Sequence, residues 1–295
     1  MLSNQEVNQE EKKLTNQNQF ACPEILAQWR QGAEQAALLG AYQLEWWRRK
    51  FQVKEKGRAD LVTEADFASQ RAIRQYLLHQ FPDHAFLGEE DVDARMDRSA
   101  GLPSDHPPTW IVDPLDGTLN YVHDCPMYCV SIGLLVQNKL QIGVVYDPRQ
   151  KEMFSAARGQ GATLNGERIR ASSVIQLSDA LVSTGFPSDL EAQKRNWQWW
   201  QTFSLHVQAL RRTGSTALNL AYVAAGRFDA YWSFDNYAWD VAGGIVLIEE
   251  ADGVVTDCQG GIVNPFRPDI LAATSHVHHS LKLILQGNPL PIGID

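Results

Sequence analysis

The sequence has no long hydrophobic run. Its longest apolar stretches, residues 130–136 and 244–248, are far too short to cross a bilayer, so no membrane association is expected. Cysteine is scarce: Cys22, Cys125, Cys129 and Cys258 are all there are, and the Cys125–Cys129 spacing has no second pair to complete a zinc site. These are read as reduced thiols, with Cys125 and Cys129 in or near the core. Positive charge is short too, with 26 Lys and Arg against 35 Asp and Glu and a net charge of -9. Such a surface repels phosphate backbones, so no nucleic-acid partner is expected. Residues 1–19 are rich in Asn, Gln, Glu and Lys and lack the apolar core of a signal peptide. Residues 1–20 are therefore expected to be a disordered polar tail, and the protein cytoplasmic. What remains is ordinary globular composition, 44% hydrophobic over 295 residues, enough for one large core or two modest ones.

Periodicity places the elements. Trp29, Ala33, Ala37, Leu44 and Trp47 predict an amphipathic helix over residues 23–50, and residues 55–59 a loop. Asp66 is expected to open a second helix, with Ile73, Leu77 and Phe81 on one stripe and Pro82 ending it. Residues 96–108 read as a surface loop and 110–112 as a short strand. Strands follow over 129–136, 140–146, 152–156 and 180–184. The last third alternates: helix 216–225, strand 228–232, helix 240–251, strand 271–274 and helix 280–285. Helices first, then a strand meander, then alternation predict layers of α and β.

Four short acidic patches carry the chemistry. They are residues 60–66 with Asp60 and Asp66, Gly88-Glu89-Glu90-Asp91, Asp113-Pro114-Leu115-Asp116-Gly117-Thr118, and Trp239-Asp240 opening a helix. A strand running into Asp113 is expected to project its carboxylate from a sheet edge, and Pro114 to turn the chain so that Asp116 swings back. The Leu115 carbonyl then offers a third oxygen. Crowded carboxylates repel unless a cation lies between them, and oxygen donors suit a hard divalent ion such as Mg²⁺. Gly117 permits close backbone approach, and a helix starting at Thr118 would add N–H groups for an anion. Taken alone, such patches are more often capped turns, solvated turns or helix caps than sites; their joint presence argues for a site.

As a set, these motifs resemble the inositol monophosphatase family of Mg²⁺-dependent, lithium-sensitive phosphatases. The likeness runs through residues 60–66, 81–90 and 110–123, Gly214-Ser215-Thr216-Ala217, and 239–253, and spans roughly residues 25–274. It implies an α+β fold, a layered αβαβα sandwich of the inositol monophosphatase and fructose-1,6-bisphosphatase type. Residues 21–295 would form one catalytic domain of two α/β halves meeting near 175–185. It further implies two to three Mg²⁺ per site, held by Glu89, Asp113, the Leu115 carbonyl, Asp116 and Asp240, with Glu90 beside a looser ion. Glu89, Thr118 and Asp66 would be catalytic, orienting the attacking water. Gly117, Thr118, Gly214, Ser215, Thr216, Ser233 and Asp240 would bind substrate, and Lys56 stands where a basic residue precedes Asp60.

The implied reaction is hydrolysis of a phosphate monoester, with inositol 1-phosphate foremost and a homodimer as the implied assembly. Histidinol phosphate, fructose 1,6-bisphosphate and 3′-phosphoadenosine compounds are alternative substrates of the same fold branch. A non-catalytic interaction protein on this fold is a further alternative. One departure bears on substrate choice: Ser233 follows Tyr231-Trp232 where the family pattern has an acidic residue, with Asp235 and Asn236 close by. Outside the motifs, His276, His278 and His279 are expected at a solvated surface. Trp197, Trp199 and Trp200 suit either a dimer contact or burial in the same subunit, and Arg211-Arg212 either anion attraction or a solvated helix end.

Overall fold

The computed structural model describes residues 22–57, 60–91, 101–103, 105–187, 189–267 and 269–287. The tail expected over residues 1–20 lies outside these, as do residues 96–100 and 104 of the expected surface loop.

Helix α1 (Pro23–Trp47) starts with proline at its first turn and buries Leu26, Trp29, Ala33, Ala37, Ala41 and Leu44, a stripe at three- and four-residue steps. Two antiparallel strands follow, β1 (Val53–Gly57) and β2 (Asp60–Thr63). The loop expected at 55–59 is thus strand as far as Gly57. Its charged side chains hide a pattern that ladder pairing with Leu61 and Val62 imposes. Helix α2 (Glu64–Gln80) begins two residues before Asp66, which is its third residue. Asp66 closes a capping box with Thr63.

A seven-stranded sheet takes β3 (Ala85–Gly88), β4 (Thr109–Asp116), β5 (Cys129–Val136), β6 (Lys139–Asp147), β7 (Glu152–Ala157), β8 (Gly161–Leu164) and β9 (Glu167–Arg168) in chain order. Only β3 and β4 run parallel within it. Trp110, Val112, Val130, Ile132 and Leu134 pack with α1 and α2. Ile111, Cys129 and Val145 pack on the other face with α5 (Thr216–Ala224) and α6 (Ala238–Glu250). Both faces are covered, so these strands read as continuous apolar runs.

The second sheet has the order β11 (Ala209–Arg211), β10 (Leu181–Thr184), β12 (Ala230–Ser233), β14 (Ile270–Ala273), β13 (Val254–Thr256). Tyr231 and Ala272 face α5 and α6. Trp232 and Leu271 face outward to Phe203 of α4 (Leu190–Ser204) and to Val277 and Leu281 of α7 (Ser275–Leu285). The layers are therefore helix, sheet, helix, sheet, helix, the αβαβα sandwich that the resemblance implies.

Two sequence expectations change here. Helix α4 was not foreseen, because its polar composition hides what anchors it. Buried Asn196 donates to the Gly185 carbonyl at 2.6 Å and accepts from Trp232 Nε1 at 2.7 Å. Trp199 and Trp200 are half-buried against this core, whereas Trp197 is 54% exposed. Of the three histidines, His278 is not solvated: it is buried in α7 with Nε2 at 2.9 Å from Thr256 Oγ1, and burial lowers its pKa to about 4.

Asp147 ends β6 with one oxygen accepting from the N–H groups of Arg149 and Gln150, while its buried Oδ2 has no hydrogen-bond partner among the described residues. Burial raises this carboxyl from 3.8 to about 6. A raised carboxyl costs nothing while protonated and opposes folding once ionised. Its contribution to stability therefore declines as pH rises from about 4 through about 6 and is level above that. Thermal melts across this window are expected to show the decline in the wild type and a flatter profile in Asp147→Asn; parallel profiles would contradict the assignment.

Candidate active site

Strand β4 creates the core of the site by an irregularity. Asp113 pairs with Ser131, and Asp116 with Cys129, so three steps along β4 match two along β5. In an even strand, residues three apart point to opposite faces; the extra residue of this bulge lets Asp113 and Asp116 line one cleft. Pro114 sits inside the bulge, where its missing N–H costs no ladder bond. The expected picture of a carboxylate leaving a sheet edge is corrected accordingly: β4 is an interior strand between β3 and β5.

Neighbouring elements supply the other oxygens. Gly88 at the end of β3 pairs with Val112, which sets Glu89 beside Asp113. Asp240 lies in the first turn of α6, where one oxygen accepts from Tyr237 N–H at 2.7 Å. Helix α6 lies close on the sheet through glycines: a Cβ on Gly143 would fall 2.2 Å from the Gly243 carbonyl oxygen, and one on Gly133 2.6 Å from Ala242 Cβ. This seat fixes the separation between Asp240 and β4.

The cleft encloses about 610 Å³, and Glu89, Asp113, Leu115, Asp116, Thr118 and Asp240 all line it. Asp113 is 2% exposed, and its Oδ1 accepts from Leu115 N–H at 3.0 Å. Burial, together with the charges of Glu89, Asp116 and Asp240, pushes its pKa well above the usual carboxylate range. Asp116 is raised by burial as well, against hydrogen bonds that favour its charge. Its Oδ2 accepts from Ser215 Oγ and Ala217 N–H, each at 2.6 Å, at the N-terminus of α5.

Thr118 begins the short helix α3 (Thr118–Val122) after Gly117, whose φ of 95° and position 2.7 Å from the Met127 carbonyl (for an added Cβ) demand glycine. The Thr118 hydroxyl lies 3.0 Å from the Leu115 carbonyl and 3.3 Å from Asp66 Oδ1. Asp66, 1% exposed, is itself held by Thr63 N–H and Oγ at 2.8 and 2.6 Å. It stands behind Thr118 and does not line the cleft.

Gly117, Gly214, Ser215, Thr216 and Ser233 also line the cleft. Ser233 is buried and donates to Asn236 Oδ1 at 2.7 Å; Thr216 Oγ1 lies 3.0 Å from Tyr231 Oη. Glu90 departs from expectation. Its N–H donates to Gln70 Oε1 at 2.9 Å, and it is not among the cleft-lining residues. The Lys56 and Asp60 side chains lie outside the described part of the chain.

The donors are carboxylates, one carbonyl and one hydroxyl, with no histidine or cysteine among the described residues that line the cleft, which fits a hard oxygen-seeking cation. The arrangement is spread. Among the described residues no three His, Cys, Asp or Glu side chains form a group closed to metal-ligand spacing. Asp116 is held over the α5 terminus by its hydrogen bonds.

Sequence reasoning missed two supports. Asn120 donates to the Met127 and Thr213 carbonyls at 2.7 and 2.8 Å, tying the loop after α3 to the loop before α5. Ser69 Oγ donates to the Pro114 carbonyl at 2.9 Å and braces the bulge. Arg211 proves to end a strand rather than a helix, while Arg212 lines the cleft.

The model of the inositol monophosphatase family matches residues 26–286. The chain belongs to that family. It is 40% identical over 273 residues to an inositol-1-monophosphatase of Synechocystis, covering 90% of this chain and 92% of the relative. A Pseudomonas aeruginosa relative called Nus factor SuhB is 40% identical over 211 residues, or 70% of this chain and 76% of that one. Among solved structures, an inositol monophosphatase from Anabaena superposes with a TM-score of 0.77 at 35% identity, covering 90% of this chain and 98% of its own. Membership makes the chain a phosphoric monoester hydrolase of a metal-dependent family. No helix among the described residues is long and apolar enough to cross a membrane.

Proposed function

We propose that the chain hydrolyses a small phosphate monoester by Mg²⁺-dependent attack of water, with inositol 1-phosphate as the reference substrate. The observation that carries this reading is Asp113, buried in a cleft with Glu89, Asp116 and Asp240 as charged neighbours. Such a cluster is costly unless a cation meets it. Glu89, Asp113, the Leu115 carbonyl and Thr118 would hold one ion; Asp113, Asp116 and Asp240 would hold another. When bound, Mg²⁺ supplies Lewis acidity that acidifies water and stabilises charge on the departing oxygen.

The chain's own residues do the positioning. Thr118 has one hydroxyl proton, engaged by the Leu115 carbonyl and Asp66, so its lone pairs can accept from the attacking water. Glu89 accepts the proton that this water gives up. Asp66 works through Thr118. The N–H groups of Gly117 and Thr118 bind phosphate oxygens, while residues 214–216, Ser233 and Asp240 bind the alcohol portion. Glu90 keeps a role only beside a more loosely held third ion. In this reading both α/β halves form one catalytic domain, since Asp116 from one is held by Ser215 and Ala217 from the other. A cytoplasmic location and, from the family resemblance, a homodimer sensitive to Li⁺ belong to the same reading.

The test is phosphate release from inositol 1-phosphate by the purified protein. EDTA is expected to abolish release, added Mg²⁺ to restore it, and Li⁺ to inhibit it. Turnover that is indifferent to EDTA would refute the metal assignment, and no release from any phosphate ester would refute hydrolysis itself.

A further inference from the structure

Helix α2 touches the site at more points than Asp66. Residues 66, 69 and 70 fall at the three- and four-residue steps that share one helix face, and all three are buried polar side chains. Asp66 meets the Thr118 hydroxyl at 3.3 Å, and Ser69 Oγ donates to the Pro114 carbonyl at 2.9 Å. Gln70, 6% exposed, accepts from Glu90 N–H at 2.9 Å through Oε1. Ser69 and Gln70 thus hold the residues that directly follow Asp113 and Glu89 in the chain.

Glu89 opens a single 3₁₀ turn, Glu89–Asp91, and so short a turn must find acceptors outside itself for its leading N–H groups. A peptide N–H can bond only to the oxygen of the Gln70 carboxamide, which fixes how that group is turned. The same carboxamide fills the space of a Gly88 side chain: a Cβ there would fall 2.3 Å from Oε1 and 2.6 Å from Cδ. Gln70 therefore meets the backbone on both sides of Glu89. Arg74, one turn further along α2, reaches Asp91 at 2.8 Å, but that pair is exposed and screened by solvent. The buried amide is the firmer hold. Asp116 and Asp240, by contrast, take hydrogen bonds from Ser215, Ala217 and Tyr237 on other elements.

Resting on the hydrolase reading above, we propose that Gln70 is a positioning residue, acting through the Glu89–Asp91 turn to hold the Glu89 carboxylate in place. Helix α2 then governs the affinity of the ion site formed by Glu89, Asp113, Leu115 and Thr118, while α5 and α6 govern the carboxylates of the other. Two substitutions break the hold by different routes. Gln70→Met keeps the length of the side chain and removes the acceptor. Gly88→Ala leaves the acceptor but displaces it from Glu90; Gly88 has no positive φ and is not among the cleft-lining residues.

The experiment titrates Mg²⁺ alone into each purified protein, read as heat and as the rise in melting temperature. It then measures kcat and KM for myo-inositol 1-phosphate. Gln70→Met and Gly88→Ala are each expected to weaken Mg²⁺ binding about 10-fold and to lower kcat more than KM. The double variant should be no weaker than either single one, because both remove the same contact. Gln70→Glu keeps an oxygen for Glu90 N–H and should bind Mg²⁺ at least as well as the wild type. Ile73→Val trims the apolar packing of the same helix, so it should lower the melting temperature and leave Mg²⁺ affinity unaltered. Wild-type affinity in Gln70→Met overturns the proposal, as does equal weakening in Ile73→Val or Gln70→Glu, or additive losses in the double variant. If Gln70→Met does not fold, wild-type affinity in Gly88→Ala overturns it in the same way. No Mg²⁺ binding by the wild type overturns the metal assignment and the proposal together. Mg²⁺-dependent release from every variant at wild-type affinity overturns the proposal alone.

Discussion

Asp113→Asn is expected to lower phosphate release by about 10³-fold or more while raising the melting temperature measured without divalent cation. The opposite signs have one origin. Asp113 is buried, its charge is opposed by Glu89, Asp116 and Asp240, and among the described residues its backbone donor is Leu115 N–H. An amide preserves the shape and can still accept from Leu115 while removing the repulsion, so the fold gains. The same change deletes the carboxylate shared between the two proposed ion sites, so the reaction loses its organising charge. Mg²⁺ should raise the melting temperature of the wild type and have much less effect on the variant. Full turnover in Asp113→Asn, or an equal Mg²⁺ shift in both proteins, would remove Asp113 from the centre of the mechanism.

Gly143→Ala tests the seat of α6 and is expected to damage stability and catalysis together. The new Cβ would meet the Gly243 carbonyl oxygen at 2.2 Å and Val246 Cβ at 2.9 Å. A backbone oxygen cannot rotate away, so the helix itself must shift. Overpacking of this kind costs about 1–3 kcal/mol, and a displacement of about 1 Å at a reacting centre costs about 10²-fold in rate. Helix α6 carries Asp240, so its shift changes the spacing to Asp113 although Gly143 is not among the cleft-lining residues. Melting temperature and kcat should both fall. An unaltered melting temperature would mean that the helix lies less tightly on the sheet than its glycines indicate.

The acidic residues were legible in the sequence because their types, flanked by Gly, Pro and element ends, already restrict the chemistry. Glu89, Asp113, Asp116 and Asp240 all reach one cleft. Their means of convergence was not legible. The bulge at Pro114 exists only relative to its pairing with Ser131 and Cys129, and no pattern within β4 records a neighbour's register. Asp66 shows the same division: as an acidic residue beside Thr63 it announced a helix start, but its contact with Thr118 spans 52 positions. Helix α4 escaped notice because its stripe of Trp199, Trp200 and Phe203 is short, diluted by polar residues, and includes a buried Asn196 whose partners lie on the second sheet. Periodicity served best where a helix face meets a sheet, as in α1, and worst where polar groups do the anchoring.

The dependence of Asp116 on Ser215 and Ala217 has a consequence for how the protein is made. During synthesis the first 210 or so residues emerge before the backbone amides that will hold this carboxylate, and Asp240 follows later still. A nascent chain can therefore assemble its first sheet with Glu89, Asp113 and Asp116 already made, but Asp116 unsupported and Asp240 missing, and remain inert. Catalytic competence arrives late, with the final third of translation, so an unfinished polypeptide has no complete machinery with which to consume cellular esters.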